Sequence, residues 1–177
     1  MLKSTMKIFR QITLLVLSFF MLSFLADKKD KTPKELGLKI FEAIKNQKEK
    51  ALLDLIVTEK ETENTLDQSD LPDSILIPFK KEFITKLNTD KERTKEQIQR
   101  SYTEIINDIN IKNCKKNIQI GNIIPITDKL RNLPVEIGQL EIEYKCSEIT
   151  ETISVKIINT SKGWRILEKL RKNKRSE

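Results

Sequence analysis

Leu140-Glu141-Ile142-Glu143-Tyr144-Lys145-Cys146-Ser147, followed shortly by Thr152-Ile153-Ser154-Val155-Lys156-Ile157, alternates apolar and polar residues without a break. A period of two places the apolar side chains on one face and the polar ones on the other, so these runs are expected to be antiparallel strands with one wet face. Downstream, Asn159-Thr160-Ser161-Lys162-Gly163 has the composition of a turn, and Trp164-Arg165-Ile166-Leu167 returns as the last strand. Upstream, Ile118 and Ile120 alternate with polar neighbours and open the meander. Four strands are expected.

Before Asn110 the period is that of a helix. Thr32-Pro33-Lys34-Glu35 is a capping box with proline at the first helical position, and it leads into an apolar stripe of Leu36, Ile40, Phe41 and Ile44. After a break at Asn46-Gln47, residues Ala51, Leu52, Leu55 and Ile56 predict a shorter helix ending near Thr58. Residues 59–73 are polar and aperiodic and read as a loop. Leu76, Phe79, Phe83 and Leu87 then recur at helical spacing, with Pro78 placed in the first turn. Thr89-Asp90-Lys91-Glu92 is a second capping box, expected to open the longest helix with a buried stripe of Ile98, Tyr102, Ile105 and Ile109. Helices first and a meander afterwards define an α+β domain in two layers.

The ends of the chain set its expected compartment. Lys3, Lys7 and Arg10 precede an apolar run from Ile12 to Ala26, and Asp27-Lys28-Lys29-Asp30-Lys31 follows at once, the layout of an export signal. The run is shorter than the roughly twenty residues that span a bilayer, which favours a cleaved peptide over residues 1–26. Phe24 and Met21 suit a small-x-small cleavage site poorly, so the alternative is a membrane tether over residues 8–26. The organisation expected is a signal segment 1–26, a charged linker 27–31, a single domain 32–170 and a basic tail 171–177. The destination is periplasmic or secreted. No cysteine stands near the end of the apolar run to accept a lipid.

Charge and composition exclude much. The net charge is +7, but the three cations of the signal segment and the excess near the C-terminus leave residues 27–167 at only +1. With the excess at the ends rather than in a stripe, nucleic acid is not an expected partner. The basic segment from Lys169 to Arg175 has two readings, a weak contact with an anionic surface or a solvated terminus. There is no histidine, which removes His-based metal sites and Ser-His-Asp or Cys-His machinery. Four glycines supply no phosphate loop or dinucleotide fingerprint, so neither a metal nor a cofactor is expected.

Export gives the two cysteines a meaning. If the first two strands pair so that Ile120 faces Leu140 and Ile118 faces Ile142, Cys114 faces Cys146. Directly opposed residues have the separation a cross-strand disulfide needs, and an oxidising compartment preserves it. The alternative is two small buried thiols. In the same register Gly121 and Gly138 oppose one another where the apolar phase shifts, which predicts a bend or paired bulges, and either a curled sheet able to leave a pocket between the layers or a twisted hairpin tip covered by the loop 59–73.

The segment from Phe41 to Leu53 and the run from Ile153 to Leu167, closing on Gly163-Trp164-Arg165-Ile166, resemble the cystatin-like α+β roll of the nuclear-transport-factor-two-like superfamily and small exported bacterial proteins of that fold. The resemblance implies N-terminal helices packed on a curved four-stranded antiparallel sheet. It also implies dimerisation through a sheet whose outer face here carries Glu141, Glu143, Lys145 and Lys156. Enzymes of that superfamily place an Asp, His or Tyr inside the roll; aliphatic inward positions here suit binding better than turnover. Tyr102, Tyr144 and Trp164 fall on inward faces as candidate ligand-binding residues, with plain core filling as the alternative. The expected function is a non-catalytic exported domain binding a small apolar ligand or a protein partner. The alternative is an isomerase- or dehydratase-like enzyme built on Tyr and carboxylate groups, which requires a buried carboxylate beside Tyr102 or Tyr144.

Overall fold

The computed structural model describes residues 32–111, 114, 118–128, 134–146 and 149–174. The expected signal segment and charged linker lie outside them. Among the described residues four helices are followed by five strands: α1 Pro33–Lys45, α2 Glu49–Leu53, α3 Glu59–Leu66, α4 Asp73–Ile111, β1 Gln119–Asp128, β2 Ile137–Cys146, β3 Ile149–Thr160, β4 Gly163–Ile166 and β5 Arg171–Lys174. All strand pairs are antiparallel, in the order β1-β2-β3-β4, and β5 pairs β3 as well. The protein is thus α+β, as the change of period predicts.

Helix α1 starts at its capping box. Thr32 Oγ1 accepts from the Glu35 N–H at 3.2 Å while the Glu35 carboxylate accepts from the Thr32 N–H at 3.3 Å. Its end is a Schellman motif: Gln47 N–H donates to Ile44 O at 3.0 Å and Lys48 N–H to Ala43 O at 2.8 Å. Gln47 takes the left-handed position of that motif at φ 53°. Leu36, Ile40, Phe41 and Ile44 are all buried, joined by Ile98, Tyr102, Ile105 and Ile109 of α4 and by the inward positions of β2, β3 and β4.

Several expectations change. Residues 59–66 are a helix, not a loop: Thr58 and Glu61 form a further capping box that the lack of periodicity hid. Glu61 also accepts from Arg165 Nε at 3.1 Å with both side chains buried, which fixes α3 to β4. The Thr89 box opens no helix; α4 runs through it for 39 residues, with Thr89 Oγ1 turned back to Thr85 O at 2.9 Å and Pro78 inside the helix rather than in its first turn. The basic segment is no tail at its start, because Arg171–Lys174 form β5 along the β3 edge that β4 leaves vacant. The sheet therefore has five strands, not four.

The β1–β2 register also differs. Ile120 pairs Tyr144, Ile123 pairs Ile142 and Pro125 pairs Leu140. Between Ile120 and Ile123, β1 carries one residue more than β2, so there is a single bulge around Gly121, while Gly138 pairs regularly with Thr127. A Cβ at Gly121 would lie 3.2 Å from Glu143 Cβ, the close approach that suits glycine there. Cys114 and Cys146 are bonded, Cα to Cα 5.4 Å. Cys114, however, precedes β1 and donates its N–H to Ile109 O at 3.0 Å, so the bond joins the end of α4 to β2 rather than two ladder partners.

Candidate functional site

Tyr102, Tyr144 and Trp164 are 6%, 0% and 3% exposed and belong to the main core. They line neither of two clefts formed by the described residues. Both clefts are bordered instead by α4 and by the chain that leaves β4.

A second apolar cluster explains the first cleft. Ile158 adjoins the inward Ile157 on β3, so it points to the other face of the sheet. There it joins Val57, Leu66 and Val135, with Leu76, Phe79, Phe83, Leu87, Ile137 and Leu167 packed around them. The rings of Phe79 and Phe83 stack at a centroid distance of 5.5 Å. These α4 residues are only half-buried, whereas the fully buried residues of α4 lie from Ile98 onward. What they leave uncovered is a cleft of about 790 Å³ floored by Leu53, Ile56, Val57, Phe79, Phe83, Leu87, Ile137 and Leu167. Its rim carries lysines and carboxylates in equal measure, among them the Lys156–Glu168 ion pair at 2.8 Å. The helical spacing of Phe79, Phe83 and Leu87 announces an apolar face, but nothing in their order tells that the fold leaves it half-buried.

The second cleft, of about 850 Å³, lies between the later turns of α4 and residues 169–172, over Ile105 and Leu170. Beneath it runs a polar network. Tyr144 Oη donates to Glu151 Oε2 at 2.8 Å, Lys172 Nζ donates to Glu151 Oε1 at 2.8 Å, and Lys172 also pairs with Asp108 of α4. Glu151 is 2% exposed. Such a carboxylate needs a cation and donors to offset its desolvation, and Lys172 of β5 and Tyr144 of β2 provide them. Burial, then the Glu151 hydrogen bond, pushes the Tyr144 phenol far above its ordinary value. Burial and the nearby Glu49 raise Tyr102 as well. Neither Glu151 nor Lys172 stood out in the sequence. Glu151 could have been found, as a charged residue in phase with Ile153 and Val155.

Among the described residues no group of three or more side chains could hold a metal ion, and no helix is long and apolar enough to cross a membrane. No family model matches this chain, and neither does any curated protein. A solved structure described as a cystatin-like protein from Ruminococcus gnavus ATCC 29149 is similar to it, at 16% identity and a TM-score of 0.45, over 92% of this chain and 48% of that one. The chain thus spans about half the length of that protein.

Proposed function

We propose that the protein is an exported, non-catalytic binding domain of the cystatin-like roll type that holds a small apolar ligand in the cleft beneath the first half of α4. The observation that carries this reading is the half-buried Phe79, Phe83 and Leu87 row facing Ile137 and Leu167 across about 790 Å³. Pockets of that size lined by aliphatic and aromatic side chains bury most of a small ligand's surface. Support for export comes from the N-terminal segment and from the Cys114–Cys146 bond, which persists in oxidising compartments.

The Tyr144–Glu151 contact favours a second reading, turnover by a Tyr–carboxylate pair. It meets the requirement for a buried carboxylate beside a tyrosine. Yet the phenol is fully enclosed, its raised pKa holds it neutral, and Glu151 is held by Lys172, so no substrate reaches the pair. Binding is the better account.

The test is titration of the whole exported domain with a dye whose fluorescence rises in apolar surroundings. We expect saturable uptake of about one dye per chain. Phe83→Glu should abolish it while the circular dichroism stays native. Absence of saturable uptake by the unaltered protein would overturn the proposal.

A further inference from the structure

One signal in the sequence goes unused in the fold. Thr89-Asp90-Lys91-Glu92 is a complete capping box, and the residues before it read as a helix end, with Lys86 suited to a last turn and Asn88 to a left-handed stop. Asp90 and Glu92 would place two carboxylates in the first turn of a helix starting there, where the dipole favours them. α4 nonetheless runs through, with Thr89 Oγ1 donating back to Thr85 O at 2.9 Å. A stop and a start meeting inside a continuous helix give that turn a second conformation whose polar groups are also satisfied.

A break at Thr89 would free the first N–H groups of the helix that remains. The box recovers two donors: Thr89 Oγ1 can accept from the Glu92 N–H, and the Glu92 carboxylate from the Thr89 N–H. Asn88, Thr89, Lys91, Glu92 and Arg93 are exposed, so no buried side chain keeps this turn in one straight helix. Beyond it, Ile98, Tyr102, Ile105 and Ile109 anchor the later half in the main core. Before it, the half-buried Leu76, Phe79, Phe83 and Leu87 meet the second cluster, and the Lys80–Asp67 ion pair at 2.6 Å ties the helix to the end of α3. An exposed pair of that kind holds weakly.

The lightly held half is a wall of the apolar cleft, where Phe79, Phe83, Lys86 and Leu87 stand with Ile137 and Leu167. We infer that residues 73–88 are a lid over this cleft, hinged at the Thr89 capping box, which caps the rest of α4 while the lid stands open to admit a ligand. The structure holds the lid closed, and residues 67–72 attach its other end to α3. Hinges of this kind are a few residues at element ends that absorb the backbone change. This rests on the apolar cleft being a ligand site and adds how a ligand reaches it.

Thr85, Thr89 and Glu92 line neither cleft, so the hinge can be altered without touching the ligand. Thr89→Val deletes the hydroxyl at similar shape and helix propensity, whereas Thr89→Ser keeps the cap. Thr85→Val is the control, since Thr85 Oγ1 is bonded back to Lys81 O at 2.7 Å in the same way but starts no box. In stopped-flow mixing with the apolar-sensing dye, Thr89→Val should slow uptake and release alike by about fivefold and leave the affinity unchanged, because the cap acts only in the open state. Thr89→Ser and Thr85→Val should behave as the unaltered protein. Amide exchange without dye reads the hinge itself: residues 79–92 should open as one unit, about fivefold less often in Thr89→Val. Opening that increases smoothly toward Asp73 and ignores Thr89→Val would overturn the hinge. Unchanged dye rates in Thr89→Val would overturn the gate while leaving the ligand site standing; absence of saturable uptake by the unaltered protein would sink both.

Discussion

At the scale of single residues, Gln47 and Lys172 show what side-chain order alone conceals. Gln47 occupies a left-handed position where an L side chain costs roughly 1 kcal/mol, and its amide donates to Asn110 Oδ1 at 3.1 Å on the end of α4. That exposed hydrogen bond is worth less than the strain. Gln47→Gly should therefore raise stability by about 0.5–1 kcal/mol, read as a higher urea midpoint at unchanged slope. The Asn46-Gln47 break is visible in the sequence as polar residues between two apolar stripes, but its handedness is not, because any polar residue can end a helix. Lys172 is similar: one lysine in a basic run becomes, through β5, the counter-ion of Glu151, whose place in the core only the strand register reveals.

At the scale of elements, α4 divides into unequal halves. From Ile98 to Ile109 it buries a stripe in the main core, whereas no residue from Asp73 to Gln97 is fully buried. The earlier half holds by the half-buried Leu76, Phe79, Phe83 and Leu87 against the second cluster and by the Lys80–Asp67 ion pair, and it contains Thr85 and Thr89 bonded back to the preceding turn. Amide hydrogen exchange should show the half before Asn88 opening at clearly lower free energy than the half after Thr94. A saturating apolar ligand should slow exchange in the earlier half most. The Thr89 capping box is a real local signal for a helix start; continuous helix on both sides outweighs it, since propagating a helix costs less than nucleating one. The reverse holds at α3, where Thr58 and Glu61 sufficed to start a helix over a segment whose pattern pointed to a loop.

At the scale of the whole molecule, both tyrosines of the chain have raised pKa values, and this ties stability to pH. The folded state keeps these phenols protonated; the unfolded chain loses those protons near pH 10, its ordinary value. Stability from this source is complete below about pH 10 and is lost as pH rises toward the folded pKa, by up to ~1.4 kcal/mol per pH unit for each tyrosine. Tyr144→Phe should lower stability at neutral pH by about 1–2 kcal/mol through loss of the Glu151 hydrogen bond and make the alkaline decline shallower, measured by urea unfolding across that range. The α+β layering, the inward face of β2 and β3 and the cysteine pair were legible in the sequence because alternation is a short-range signal. The β1 register, β5 and the apolar cleft were not, since each depends on how segments far apart in the chain meet. The Cys114–Cys146 bond encloses β1 and β2 within a covalent ring. A protease that cuts once anywhere between the two cysteines leaves a single particle of unchanged mass apart from one added water. Its two fragments separate only when a reductant is present, so a nicked preparation run without one would pass for intact protein.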